Sequence, residues 1–160
     1  MSYILPSLEM GVLHLKSFTS MITAGGQVMK FASSQTQVGQ VNSTYSSSTG
    51  QTVLPNSPCI LAGSLAFKKT AGTNAAFYAD VQWYDVSNSQ YIGSIGRTWG
   101  YRPSTYYGSY DLTCDEEAIA VAQNITVELR IIGKGGTQTL VGDNDVSYSS
   151  ASRAIIMEFT

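Results

Sequence analysis

The sequence carries few side chains equipped for chemistry. Its single histidine, His14, lies in Val12-Leu13-His14-Leu15 with no nucleophile or carboxylate motif beside it, so it reads as a structural or surface residue. Two cysteines, Cys59 and Cys114, cannot hold zinc without His, Asp or Glu partners at ligand spacing. They are either buried thiols or the two ends of one long-range disulfide. Carboxylates cluster at Asp115-Glu116-Glu117 and in Gly142-Asp143-Asn144-Asp145. The second run sets two carboxylates at i and i+2, but calcium takes six to eight oxygens, and the downstream Glu of an EF-hand loop is missing. Turn geometry accounts for its residues. Asp80 and Asp85 flank Trp83 in the manner of a carbohydrate-cleaving pair. Five residues of strand separate them by about 17 Å, whereas paired carboxylates work within about 10 Å. No Gly-x-Ser-x-Gly elbow, phosphate loop or dinucleotide fingerprint occurs. The sequence therefore predicts no catalytic residue, no cofactor and no metal, and so a protein that is not an enzyme.

What the sequence offers instead is contact surface. The stretch from Trp99 to Tyr110 holds Trp99, Tyr101, Arg102, Tyr106, Tyr107 and Tyr110 among Gly and Ser spacers. Aromatic rings give a large contact area at low conformational cost, which suits a binding loop or a subunit contact. At the other end, Ile4, Leu5, Pro6 and Leu8 form a short apolar arm, read either as an anchor onto a partner or as the first strand of the domain.

Composition narrows the partners. The chain has 160 residues and 17.2 kDa, enough for one domain with a real core. Its net charge is −2, which lacks the basic footprint needed to neutralise nucleic-acid phosphates. Charged residues make up 12%, against about 25% in an ordinary domain, and uncharged Ser, Thr, Gln and Asn take their place. No apolar run reaches the length of a membrane span. The N-terminus lacks the basic and long apolar regions of a secretory signal.

The elements that must position these residues are strands. Phe77, Ala79, Val81 and Trp83 alternate with Tyr78, Asp80, Gln82 and Tyr84, and the run turns at 87–90 into Tyr91–Ile95, predicting a hairpin. Asn124–Ile132 alternates as cleanly, and Gly133–Gly136 is expected to turn it into a second hairpin with Thr137–Val141. Arg153–Phe159 sets Ile155, Met157 and Phe159 against Ala154, Ile156 and Glu158. Further strands are expected at Gly11–Phe18, Gln27–Ala32, Gln51–Leu54 and Pro58–Lys68. Asp115–Gln123 has an acidic start suited to a helix but alternates like a strand, and is read as strand. The polar segment Ser33–Gln51 is either a long connection or an edge strand facing a neighbouring subunit. Eight to ten strands punctuated by Gly and Ser predict an all-β antiparallel sandwich of jelly-roll type. Residues 1–19 are assigned to the arm or first strand and 20–160 to a single jelly-roll domain.

Three stretches together are similar to a known group. These are Gly50-Gln51-Thr52-Val53-Leu54-Pro55 before an apolar strand, Phe77 to Gly93, and Ala118 to Ile132. Their order resembles the small jelly-roll virion proteins of tailed bacteriophages, related in fold to the tumour-necrosis-factor and complement globular-head domains. That resemblance implies a homotrimer in the virion, assembled in the host cytoplasm. It further implies a decoration or cement protein bound to the major capsid protein, with the Ile4–Leu8 arm as anchor. The alternative it implies is a receptor-binding tip of a tail or head fibre, with the Trp99–Tyr110 stretch contacting a host surface glycan. Neither role needs nucleic acid or a membrane.

Overall fold

A computed structural model describes residues 9–23, 25–71, 76–101, 110–112, 116–136, 139–142 and 152–159. The alternating segments become strands that stack as two antiparallel layers. The first layer runs β3 (Ser33–Val38), β1 (Met10–Lys16), β14 (Arg153–Phe159), β6 (Cys59–Ser64) and β11 (Ala118–Ala122), in that spatial order. The second runs β4 (Thr44–Ser46), β5 (Gln51–Val53), β12 (Thr126–Gly135), β8 (Ala76–Asp85) and β9 (Gln90–Tyr101), with β2 (Gln27–Val28) also paired to β12. A small third sheet joins β10 (Tyr110–Leu112), β7 (Phe67–Ala71) and β13 (Thr139–Gly142). The strands outnumber the eight to ten expected because several are only two or three residues long.

The core lies between the two large sheets, and their contributions are unequal. The second sheet sends in Phe77, Val81, Trp83, Val127, Leu129 and Ile131, all at 2% exposure or less. The first answers with many small residues, among them Ala118, Ala120 and Ala154, around Leu13, Leu15, Leu61 and Ile156. A Cβ on Gly63 would fall 2.6 Å from Leu129 Cδ2, so the missing side chain is the space Leu129 fills. Large against small at native density holds the layers close. The Trp83 indole also donates to the Ala118 carbonyl at 3.1 Å, tying the layers polarly.

One edge of the sandwich is sealed by backbone. Arg97 and Glu116 exchange both N–H···O bonds at 3.0 Å, and the Ser94 hydroxyl accepts the Ile119 amide at 2.9 Å. Gly93, at φ +72°, allows this approach: a Cβ there would collide with the Ile119 carbonyl and Ala120.

Several expectations change. The second hairpin does not form. β12 already has β8 and β5 as neighbours, so the chain leaves it and β13 pairs with β7 instead. β12 runs on to Gly135 past the turn expected at Gly133, with an irregularity between Ile131 and Gly133 that keeps it paired to β8. Pro58–Lys68 divides into β6 and β7, because the chain leaves one sheet for another at Leu65-Ala66. Gln27–Ala32 shortens to β2. The segment Asp115–Gln123 is strand where it is described, as β11. Within Ser33–Gln51, β3 is an exposed edge strand and the chain then crosses to the second sheet.

That crossing is held by one side chain. Glu158 is fully buried, and its carboxylate accepts the amides of Asn42 at 2.8 Å and Ser43 at 2.6 Å, immediately before β4. Burial and this neighbouring carboxylate push the Cys59 thiol up to about 11, so Cys59 is an inert, uncharged core residue. Replacing Glu158 by Gln removes one of the two carboxylate acceptors from the buried Ser43 and part-buried Asn42 amides and is expected to cost about 2 kcal/mol. Urea denaturation of the two proteins checks this, and an unchanged midpoint would refute the anchor.

Candidate functional site

Two surfaces stand out, one on the outer face of each large sheet. The first follows from which face of each strand turns inward. On β14 the inward residues are Ala154, Ile156 and Glu158, so Ile155, Met157 and Phe159 point away from the core. Val12, His14 and Lys16 on β1, Ile60 on β6, and Ile119 and Val121 on β11 share this outer face. Register then lines up Val121, Ile60, Met157, Val12 and Val38 as one apolar row across all five strands. Val121 is 70% exposed and Val38 50%. The next row reads Ile119, Ala62, Ile155, His14 and Gln35. Beyond it come Ser64, Arg153, Lys16 and Ser33, where Arg153 pairs with Glu117 at 3.4 Å and Lys16 donates to Gln35 at 3.3 Å.

His14 sits where apolar and charged rows meet. Its Nε2 is buried and has no hydrogen-bond partner among the described residues. Burial first, then the charges of Lys16 and Arg153, lower its pKa below the ordinary 6.5. Its surroundings therefore favour the neutral imidazole.

The second surface is built on the β8–β9 hairpin. Tyr78 pairs with Trp99 and Asp80 with Arg97, so all four occupy successive outward positions. Arg97 grips Asp80 through a two-pronged bond, Nε to Oδ1 at 2.6 Å and Nη2 to Oδ2 at 2.7 Å. That bond first, and the carboxylate charge with it, raise the guanidinium pKa further. The same guanidinium lies 4.9 Å from the Tyr78 ring centroid. The ring also lies against Gly135, where a Cβ would collide with it. Trp99 is 58% exposed and, with Phe77, Tyr78 and Arg97, lines a cleft of about 310 Å³. Further along the sheet, Arg130 lies 3.4 Å over the Tyr84 ring, bonds Glu128 at 2.6 Å, and Tyr91 meets Tyr84 edge-on.

The residues singled out in the sequence scatter accordingly. Trp99 and Tyr101 belong to β9 and not to a loop, because β8 continues opposite them; Tyr110 begins β10. Arg102, Tyr106 and Tyr107 lie outside the described residues, as do the arm residues Ile4, Leu5, Pro6 and Leu8. So do Cys114, Asp115 and the pair Asp143 and Asp145. Asp85, weighed with Asp80 as a catalytic partner, instead accepts the Asn88 amide at 3.0 Å and shapes the hairpin turn. Sequence reasoning missed Tyr78 and Arg97 as site residues, and it missed the outward apolar face. Among the described residues no group of three His, Cys, Asp or Glu lies together.

No protein-family model matches the chain, and no curated protein matches it. Among solved structures it is similar to the crystal structure of murine APRIL at pH 5.0, at 12% identity and a TM-score of 0.50. The match covers 94% of this chain and 99% of that one. An identity so low shows fold alone, and the fold is an all-β antiparallel sandwich of the tumour-necrosis-factor-like jelly-roll type.

Proposed function

We propose that the chain is a non-enzymatic structural protein that assembles as a homotrimer through the outer face of the β3-β1-β14-β6-β11 sheet. Its place would be the outside of a tailed-phage capsid, where it clamps neighbouring copies of the major capsid protein. The observation that carries the trimer is the apolar row Val121, Ile60, Met157, Val12, Val38, which crosses a whole sheet on its outer face, with Val121 and Val38 exposed at its two ends. Such a row is far more continuous than the scattered apolar residues of an ordinary surface. A second copy is the occupant that suits it, since closing a ring through one repeated contact buries every face alike. Support for the capsid role comes from the resemblance of three sequence stretches to phage virion proteins, and from an uncharged edge strand, Ser33–Val38, that does not repel close neighbours. Binding to intact heads opposes the separation of capsid subunits by simple linkage.

A glycan-binding tip of a tail or head fibre is the second reading. Exposed Trp99 beside the Arg97–Asp80 pair favours it.

Light scattering on a sizing column should return three times the 17.2 kDa chain mass. Met157→Glu, in the middle of the apolar row, should reduce it to one chain at micromolar concentration. A monomeric wild-type protein would remove the proposal. Empty phage heads incubated with the trimer then test the capsid role, which fails if no protein sediments with the heads.

His14 supplies a pH signature. A histidine whose folded pKa lies below 6.5 contributes stability above that pH, and the contribution is lost as the pH falls through 6.5 and below. At fixed protein concentration, wild type should therefore lose urea resistance relative to His14→Gln between pH 7.5 and 5.0. Parallel profiles would contradict the buried, neutral imidazole.

A further inference from the structure

We propose that the sheet contact of the trimer is an acid-sensitive switch, in which protonation of His14 in each copy opens the assembly into single chains. The switch rests on the trimeric reading and adds its regulation.

His14 stands inside the face that closes. It lies between Ile155 of β14 and Gln35 of β3. Val12 and Met157 occupy the row on one side of it, and Lys16 and Arg153 the row on the other. A second copy laid over the apolar row therefore covers the ring as well. The residue is already half-buried in the single chain, and its Nε2 is cut off from water.

The ring has nothing to offer a second proton. A neutral imidazole carries one donor and one acceptor, whereas the imidazolium carries two donors and no acceptor. Nε2 has no hydrogen-bond partner among the described residues. When a proton from water makes both nitrogens donors, Nε2 becomes a buried, charged N–H without an acceptor, which is costly.

The charges around it oppose that proton. On its own strand Lys16 lies two residues along on the same face, and on β14 Arg153 stands opposite Lys16. The residues that β3, β6 and β11 bring into these rows are uncharged. Glu117, just before β11, is engaged by Arg153 at 3.4 Å. Burial first, then the two cations, hold the ring's pKa below 6.5 in the single chain. Closure against another copy removes more water from the ring and lowers it again.

The direction of the response follows. A pKa lower in the trimer than in the free chain supports association fully above pH 6.5, and that support is lost as the pH falls below it. Lowering each ring by about one unit on closure would weaken assembly roughly a thousandfold once three rings are charged. His14 is the chain's one histidine. No other side-chain type ordinarily changes charge between pH 5 and 8, so mild acid acts on the assembly at a single residue per copy.

Sedimentation velocity of the intact protein at fixed micromolar concentration, from pH 7.5 to 5.0, tests the switch beside His14→Gln and His14→Leu. Wild type should pass from three chains to one, its dissociation constant rising about tenfold or more, and should reassemble when returned to pH 7.5. Both variants should stay at three chains throughout. Circular dichroism at each pH should keep its β-sheet signal, which separates opening from unfolding. A wild type that is one chain at pH 7.5 removes the trimer and the switch with it. One that stays at three chains at pH 5.0, opens in parallel with both variants, or loses its β-sheet signal as it opens leaves the trimer standing and overturns the switch.

Discussion

A sheet in a two-layer sandwich has two faces, and packing against the opposing layer buries only one of them. This constraint governs the first sheet. Its inward face must be thin, because the opposing layer already fills the gap with Trp83, Phe77, Leu129 and Ile131. Ala118, Ala120, Ala154 and Gly63 meet that requirement, and Glu158 takes a core position to hold the crossing between sheets. The bulky residues of β14, Ile155, Met157 and Phe159, then have only the outer face left. An apolar outer face is thus the consequence of how the core is packed. In the proposed trimer association would relieve it, since a free apolar sheet face carries a cost of roughly 25 cal/mol for each Å² left in water.

The same packing fixes the second surface. Trp83 reaches across to Ala118, and the β9 edge presses onto β11 at Gly93 and at the Arg97–Glu116 bridge. Arg97 is therefore held twice, by its backbone toward the first sheet and by its guanidinium over the second. The edge that closes the sandwich also aims the polar pair of the cleft. A disturbance at that edge would reach Asp80 and Tyr78 through Arg97 without touching the core beneath them.

Much of this was legible in the sequence where one face is apolar and the other polar. The alternation in Phe77–Tyr84 and in Ile125–Ile131 gives the inward residues directly. It fails on Arg153–Phe159, where both faces are apolar and period two alone cannot say which is buried; only the thin inward face of the neighbouring strands decides it. The cleft was hidden for a different reason. The turn pairs Tyr84 with Tyr91 and Trp83 with Ile92, and continuing that register would set Asp80 against Ile95. An irregularity between Val81 and Trp83 advances β9 by two residues, bringing Arg97 to Asp80 and Trp99 to Tyr78. A two-residue step keeps every side chain on its face, so it leaves no trace in the hydrophobic pattern. Topology was hidden as well: β13 follows β12 closely in sequence, yet pairing was decided by which strand edges remained open.

Charge ties the two surfaces together. The chain has few charged residues, and several of the described ones neutralise each other locally: Arg97 with Asp80, Arg130 with Glu128, Arg153 with Glu117. Such pairs leave little field beyond a few ångströms. What the two faces present is contact surface: apolar side chains on one, aromatic rings and paired charges on the other. Contact recognition tolerates many identical copies side by side, where a strongly charged surface would drive them apart. In the proposed assembly this distribution would suit a domain set beside its own copies, with the charge cancelled in place and the two faces specialised by the packing between them.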